Sequence, residues 1–208
     1  TAVAADNNIT GTATAGDITI GAMTAGAAVS LTATAGSIDE IGVGDVGADI
    51  TAGGLITLNA QDEIGTAANN PGLELNGNSL VAHTTGAGGN IIIDGLNAGL
   101  LTLTDVDAVT GDISITSAGA MTATAVDTTT SGGITLNAAG ALTATHVVAL
   151  DGSVDLDAQG TLTATDVQAN DSAATGAYNV TVDTTTGGMV LTAVAADNNI
   201  TGTATAGD

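Results

Sequence analysis

The sequence contains no Lys, no Arg, no Cys, no Trp and no Phe, and only one Pro and one Tyr in 208 residues. Without Lys or Arg, nothing on the chain can neutralise phosphate, which excludes most modes of nucleic-acid binding and argues against anionic membrane surfaces. The 22 acidic residues leave a net charge of -22, and no internal salt bridge is expected. The absence of Cys removes disulfides and thiolate metal sites. The near absence of aromatic rings removes the side chains that reach across a wide core. No apolar run approaches the ~20 residues of a membrane span, so no membrane insertion is expected. The opening residues, starting at Thr1, are not expected to form a signal peptide.

What is present is apolar enough to fold. The chain is 44% hydrophobic, which separates it from the low-hydrophobicity, high-charge composition of disordered segments. Ala, Thr and Gly make up about half of it. Small side chains of this kind suit a thin core repeated many times.

Repeats occur at two scales. Residues 1–17 and 192–208 are the same seventeen letters, an offset of 191. The chain therefore reads as one continuous solenoid segment over 1–208, comprising one 191-residue tandem unit and the first 17 residues of the next. Within it, a Gly-x-apolar signature places Ile18, Ile38, Ile56, Leu101, Met121, Leu142, Leu162 and Met189 in one column, and Leu80, with one extra residue after Gly77, fills its gap. A second column carries the apolar pairs Val29–Leu31, Leu73–Leu75, Ile91–Ile93, Ile113–Ile115, Ile134–Leu136, Val154–Leu156 and Val180–Val182. A third carries Val106, Val126, Val147, Val167 and Val194. Period-2 alternation rich in Thr and Val predicts strands, and no 3.6-residue stripe predicts a helix. The fold class expected is all-β: a three-sided parallel β-solenoid, right-handed by analogy, with about nine turns of ~21 residues per unit.

The turns GDISITSAGAMTATAVD (111–127), GGITLNAAGALTATHV (132–147) and DGSVDLDAQGTLTATDV (151–167) carry a family resemblance. Their grammar resembles the β-helix repeats of filamentous-haemagglutinin-like exoproteins and giant bacterial surface adhesins. The resemblance implies an extracellular or cell-surface, rod-like chain concerned with adhesion or a surface layer.

Three sets of side chains are candidates for function. Alternation turns Thr102, Thr104, Thr122, Thr124, Thr143, Thr145, Thr163 and Thr165 outward as a ladder, similar to the ice-binding faces of antifreeze solenoids. Thr is also a favoured uncharged residue for an exposed strand. Asp107 with Asp127, and Asp157 with Asp183, are expected to stack on adjacent turns. Such oxygen-rich columns suit bridging by Ca2+, although no dedicated calcium motif is present and no cofactor is required. Two longer turns, GTAANNPG (65–72) and NDSAATGAY (170–178), offer Pro71, Asn170, Asp171 and Tyr178 for contacts with other rods. His83 and His146 lie on different turns and are expected at the surface. Paired carboxylates occur, but no basic or aromatic residues accompany them, so no enzyme is expected. The expected role is a structural extracellular rod whose partner is itself, by end-to-end continuation or lateral bundling. The alternatives are the stalk of an adhesin whose tip lies elsewhere, and an ice-binding solenoid.

Overall fold

The computed structural model describes residues 2–41, 47–66, 72–170, 172–173 and 176–205. Every named element among them is a β-strand, and every strand-to-strand ladder is parallel. About nine coils of about 21 residues stack into a β-solenoid. No helix among the described residues is long and apolar enough to cross a membrane.

Two sheets run the length of the stack. The first begins with Ala2–Ala5 and Ala22–Ala25 and continues through Ile113–Ser117, Ile134–Ala138 and Val154–Ala158 to Ile200–Ala204. The second runs from Ile9–Ala13 and Val29–Ala33 through Leu100–Thr110 and Leu142–Leu150 to Met189–Ala196. Side chains alternate in and out along each strand because successive Cβ atoms point to opposite faces. In Leu142–Leu150 the alternation slips once, at Thr145 and His146, which both face outward before Val147 turns in again. The same slip occurs at Thr104–Asp105 and Thr165–Asp166. The second sheet therefore turns a corner there, and the column Val106, Val126, Val147, Val167, Val194 stacks in register on a third side.

The core is a set of apolar ladders. Ile113, Ile134, Val154 and Val180 are consecutive partners, as are Ile115, Leu136, Leu156 and Val182, and all are essentially inaccessible. Ala123, Ala144 and Ala164 lie on the second sheet and are equally buried. Small residues on that side let the two sheets close over a core that needs no ring to fill it. Replacing Leu136 by Ala removes one rung between Ile115 and Leu156 and is expected to cost about 2–5 kcal/mol. Its exposed neighbour Thr135→Ala should stay within about 0.5 kcal/mol of wild type. Urea midpoints of the two variants check this.

The phase of the first coils differs from the sequence expectation. Ile18 pairs with Ile38, which bridges Ile64 and, through it, Ile91 in the first sheet. Val29 pairs with Ile56 in the second. The Gly-x-apolar signature occurs at corners leading into both sheets, so it does not by itself tell one side from the other. Leu73 likewise partners Ile93 rather than Ile91, because Ile64 already fills the position next to Ile91. The two copies of the repeated peptide also sit differently. AVAA forms Ala2–Ala5 in the first sheet but lies within Met189–Ala196 of the second, whereas ITGTA moves from the second sheet to the first. Both peptides are rich in small side chains, so either fits either sheet.

Corners are held by polar side chains that reach one coil along the axis. Asn90 Oδ1 accepts from Asp112 N at 2.8 Å, and Asp112 Oδ1 accepts from Gly133 N at 2.8 Å. Asn8 with Ala28, and Asp17 with Ser37, repeat the arrangement. Buried Thr hydroxyls brace the corners as well: Thr84 Oγ1 donates to Gly89 O at 2.6 Å, Thr128 Oγ1 to Gly132 O at 2.9 Å and Thr184 Oγ1 to Gly187 O at 2.8 Å. Several Asx residues thus serve the backbone, which needs every buried amide and carbonyl paired.

Candidate functional site

The outward faces carry the chemistry. On the second sheet Thr102, Thr122, Thr143 and Thr163 are consecutive register partners, half-buried by their neighbours. Thr104, Thr124, Thr145 and Thr165 are exposed at the adjoining corner. The expected Thr ladder is therefore a two-column strip over four coils.

The acidic residues fall into separate groups. Asp107 and Asp127 are register partners on the third side. Asp157 and Asp183 are partners on the first sheet, in the column Asp94, Thr116, Asn137, Asp157, Asp183, Thr203. Asn76 does not join that column; Glu74 occupies the place beside Asp94. Asn137, Asp157, Asp183 and Thr203 line a shallow cleft of about 410 Å³. Partial burial, followed by the Asp183 charge, raises the Asp157 carboxyl above its ordinary range. Burial, then Asp157 and Asp183, does the same to Asp155. Hence the four aspartates expected to bridge calcium form two pairs on different sides of the rod.

The two histidines stand within ion-pair distance of aspartates, contacts that the absence of Lys and Arg did not foreshadow. His83 Nε2 lies 3.3 Å from Asp105 and 3.7 Å from Asp107, while its Nδ1 faces Asn59 Oδ1 at 3.1 Å. His146 Nδ1 lies 2.8 Å from Asp166, its register partner, and Nε2 lies 3.4 Å from Asp127. Each ring is thus set between carboxylates of neighbouring coils and becomes their counter-ion when protonated. Burial raises the Asp107 and Asp127 carboxyls, against the opposing pull of His83 and His146. Asp166 is lowered, first by the hydrogen bond from Gln168 Nε2 and then by His146. The His83 grouping escaped sequence reading because a register shift between Leu80 and Val81 brings Asp105 beside Val81.

Tyr178 is half-buried against the core, and its carbonyl accepts from Asn198 N. Asn170 ends the strand Leu162–Asn170, pairs with Leu150 and donates from Nδ2 to Gln168 Oε1 at 3.3 Å. Pro71 and Asp171 lie outside the described residues.

A second acidic group was not foreseen. Glu40, Asp49 and Glu74 bring one carboxylate oxygen each within 4.8 Å of the others, and all three residues are buried. His83, Asp105 and Asp107 form a comparable but half-exposed set. Comparison with family models, with curated proteins and with solved structures found no match.

Proposed function

We propose that this chain is a structural, extracellular acidic β-solenoid rod, a non-enzyme that builds a filament, sheath, surface layer or biofilm matrix by associating with itself. The observation that carries this reading is the pair of parallel sheets running from the first coil to the last. The turns at 111–127, 132–147 and 151–167 add their resemblance to haemagglutinin-type surface repeats. On the side faces, a net charge of -22 keeps rods apart until external cations screen it.

Negative-stain microscopy across a concentration series tests the reading. The expected result is unbranched filaments much longer than the ~43 Å that nine coils span at a strand spacing of about 4.8 Å. Dispersed single rods at all concentrations would contradict self-assembly and favour the stalk of a longer adhesin.

The register of Thr102, Thr122, Thr143 and Thr163 supports a second reading, ice binding through the Thr strip. Thermal hysteresis at millimolar protein is its test, and none at all would remove it.

A further inference from the structure

We propose that Glu40, Asp49 and Glu74 form a buried binding site for one hard divalent cation, with Ca2+ as the fitting ion. The site is distinct from the surface aspartates, and its argument does not depend on the rod reading.

The chain builds it from strand ends that lie close in space and apart in sequence. Ile18–Ile20 and Ala22–Ala25 are almost continuous in one coil, but in the next their partners are Ile38–Glu40 and Ile50–Ala52. The backbone fastens these ends: Ile41 N donates to Ile20 O at 2.6 Å, and Met23 N donates to Asp49 O at 2.7 Å. Glu40 and Asp49 are thereby placed side by side. The following coil adds Glu74, whose N donates to Asp49 Oδ2 at 2.9 Å while Asp49 N donates to Glu74 O at 2.9 Å.

Two observations distinguish this from an ordinary acidic cluster. Glu74 holds an outward position in the sheet, beside the partly exposed Asp94, yet it is 0% exposed. Both of its carboxylate oxygens are buried and meet no donor among the described residues. Their polar neighbours are the Asp49 and Glu40 carboxyls, which can bond to Glu74 only by sharing a proton. A buried carboxylate without a donor is costly, and the chain has no Lys or Arg to supply one. A cation shared with the neighbouring Glu40 and Asp49 carboxylates would hold Glu74 ionised.

The donor set selects the ion. All three ligands are carboxylate oxygens, with no His or Cys among them, so hard ions are preferred over zinc or copper. Oxygens within 4.8 Å of one another can share an ion at the ~2.3–2.6 Å of Ca2+–O bonds. Such an ion would tie together two coils.

The test uses the full chain, stripped with chelator and titrated with CaCl2. One tight equivalent of calcium per chain is expected, surviving gel filtration and elemental analysis, and raising the melting temperature. Glu74→Gln should fold, weaken that equivalent at least about 100-fold, and lose the thermal response. A D157N/D183N variant should keep both. If E74Q misfolds, direct excitation of Tb3+ on the wild type decides: a buried ion shows few coordinated waters and is displaced by one equivalent of Ca2+. Weak multi-site calcium uptake alone, a melting temperature indifferent to calcium, or a thermal response unchanged in E74Q would each overturn the proposal.

Discussion

In the presence of chelator, the protein is expected to lose stability as pH rises from about 4.5 to about 8, the reverse of ordinary acid denaturation. The cause is Glu74. Burial foremost, then the adjoining Asp49 and Glu40 carboxyls, push its pKa from 4.5 to about 8. The folded state therefore keeps a proton that the unfolded chain has already released, so the unfolded state binds fewer protons and stability falls with pH. The contribution is fully present below the unfolded value of 4.5 and is lost as pH climbs through the folded value of about 8. Within that window the slope from this one group is about 1.4 kcal/mol per pH unit. Asp107, Asp127, Asp155 and Asp157, also raised, act in the same direction, and Asp166, lowered, acts in the opposite one. Urea unfolding at pH 5, 6, 7 and 8 measures the slope, and Glu74→Gln should flatten most of it. Stability that climbs with pH in chelator would show that the Glu74 carboxyl is not held protonated. Saturating Ca2+ should restore stability at pH 8, because the ion favours the ionised triad over the protonated one.

Gly132→Ala is expected to be among the most damaging single-methyl additions available, costing about 3 kcal/mol or more. Gly132 has a φ of 140°, and a Cβ there would lie 1.9 Å from the carbonyl oxygen of Gly111 in the preceding coil. That oxygen belongs to backbone fixed by the stack, since Gly111 N donates to Ser131 O and Gly132 N to Leu150 O. Neither partner can move without opening the corner. Gly88 provides the control: its φ is 77°, but a Cβ there would meet nothing within 4 Å. Gly88→Ala should therefore cost only the backbone strain, about 1–2 kcal/mol. Equal losses in the two variants would mean that close packing of coils at the corner contributes little.

Much of the architecture was legible because the strands alternate cleanly where coils have equal length. From Leu101 to Val182 the columns stack as their spacing suggests, including Val106 with Val126 and Asp107 with Asp127. Legibility failed where the coil length changes. The longer sequence intervals between Glu40 and Asp49 and between Ile64 and Leu73 break the spacing, so Ile18 and Ile38 were placed on the wrong side. The same irregularity hid the buried triad, since nothing in linear spacing sets Glu40, Asp49 and Glu74 together. One signal was available: Glu74 sits between Leu73 and Leu75, and all three are buried. The His pairings were illegible for a related reason. Lateral partners on a solenoid are fixed by register, and one shift near Val81 decides which carboxylates face His83.

The central claim is that the chain is a stack of single coils of about 21 residues, and the axial structure of oriented or vitrified rods tests it directly. Cryo-electron microscopy should show layers about 4.8 Å apart, each holding about one-tenth of the 19.6 kDa chain. The absence of that spacing, or a density that assigns an entire chain to each layer, would contradict the account.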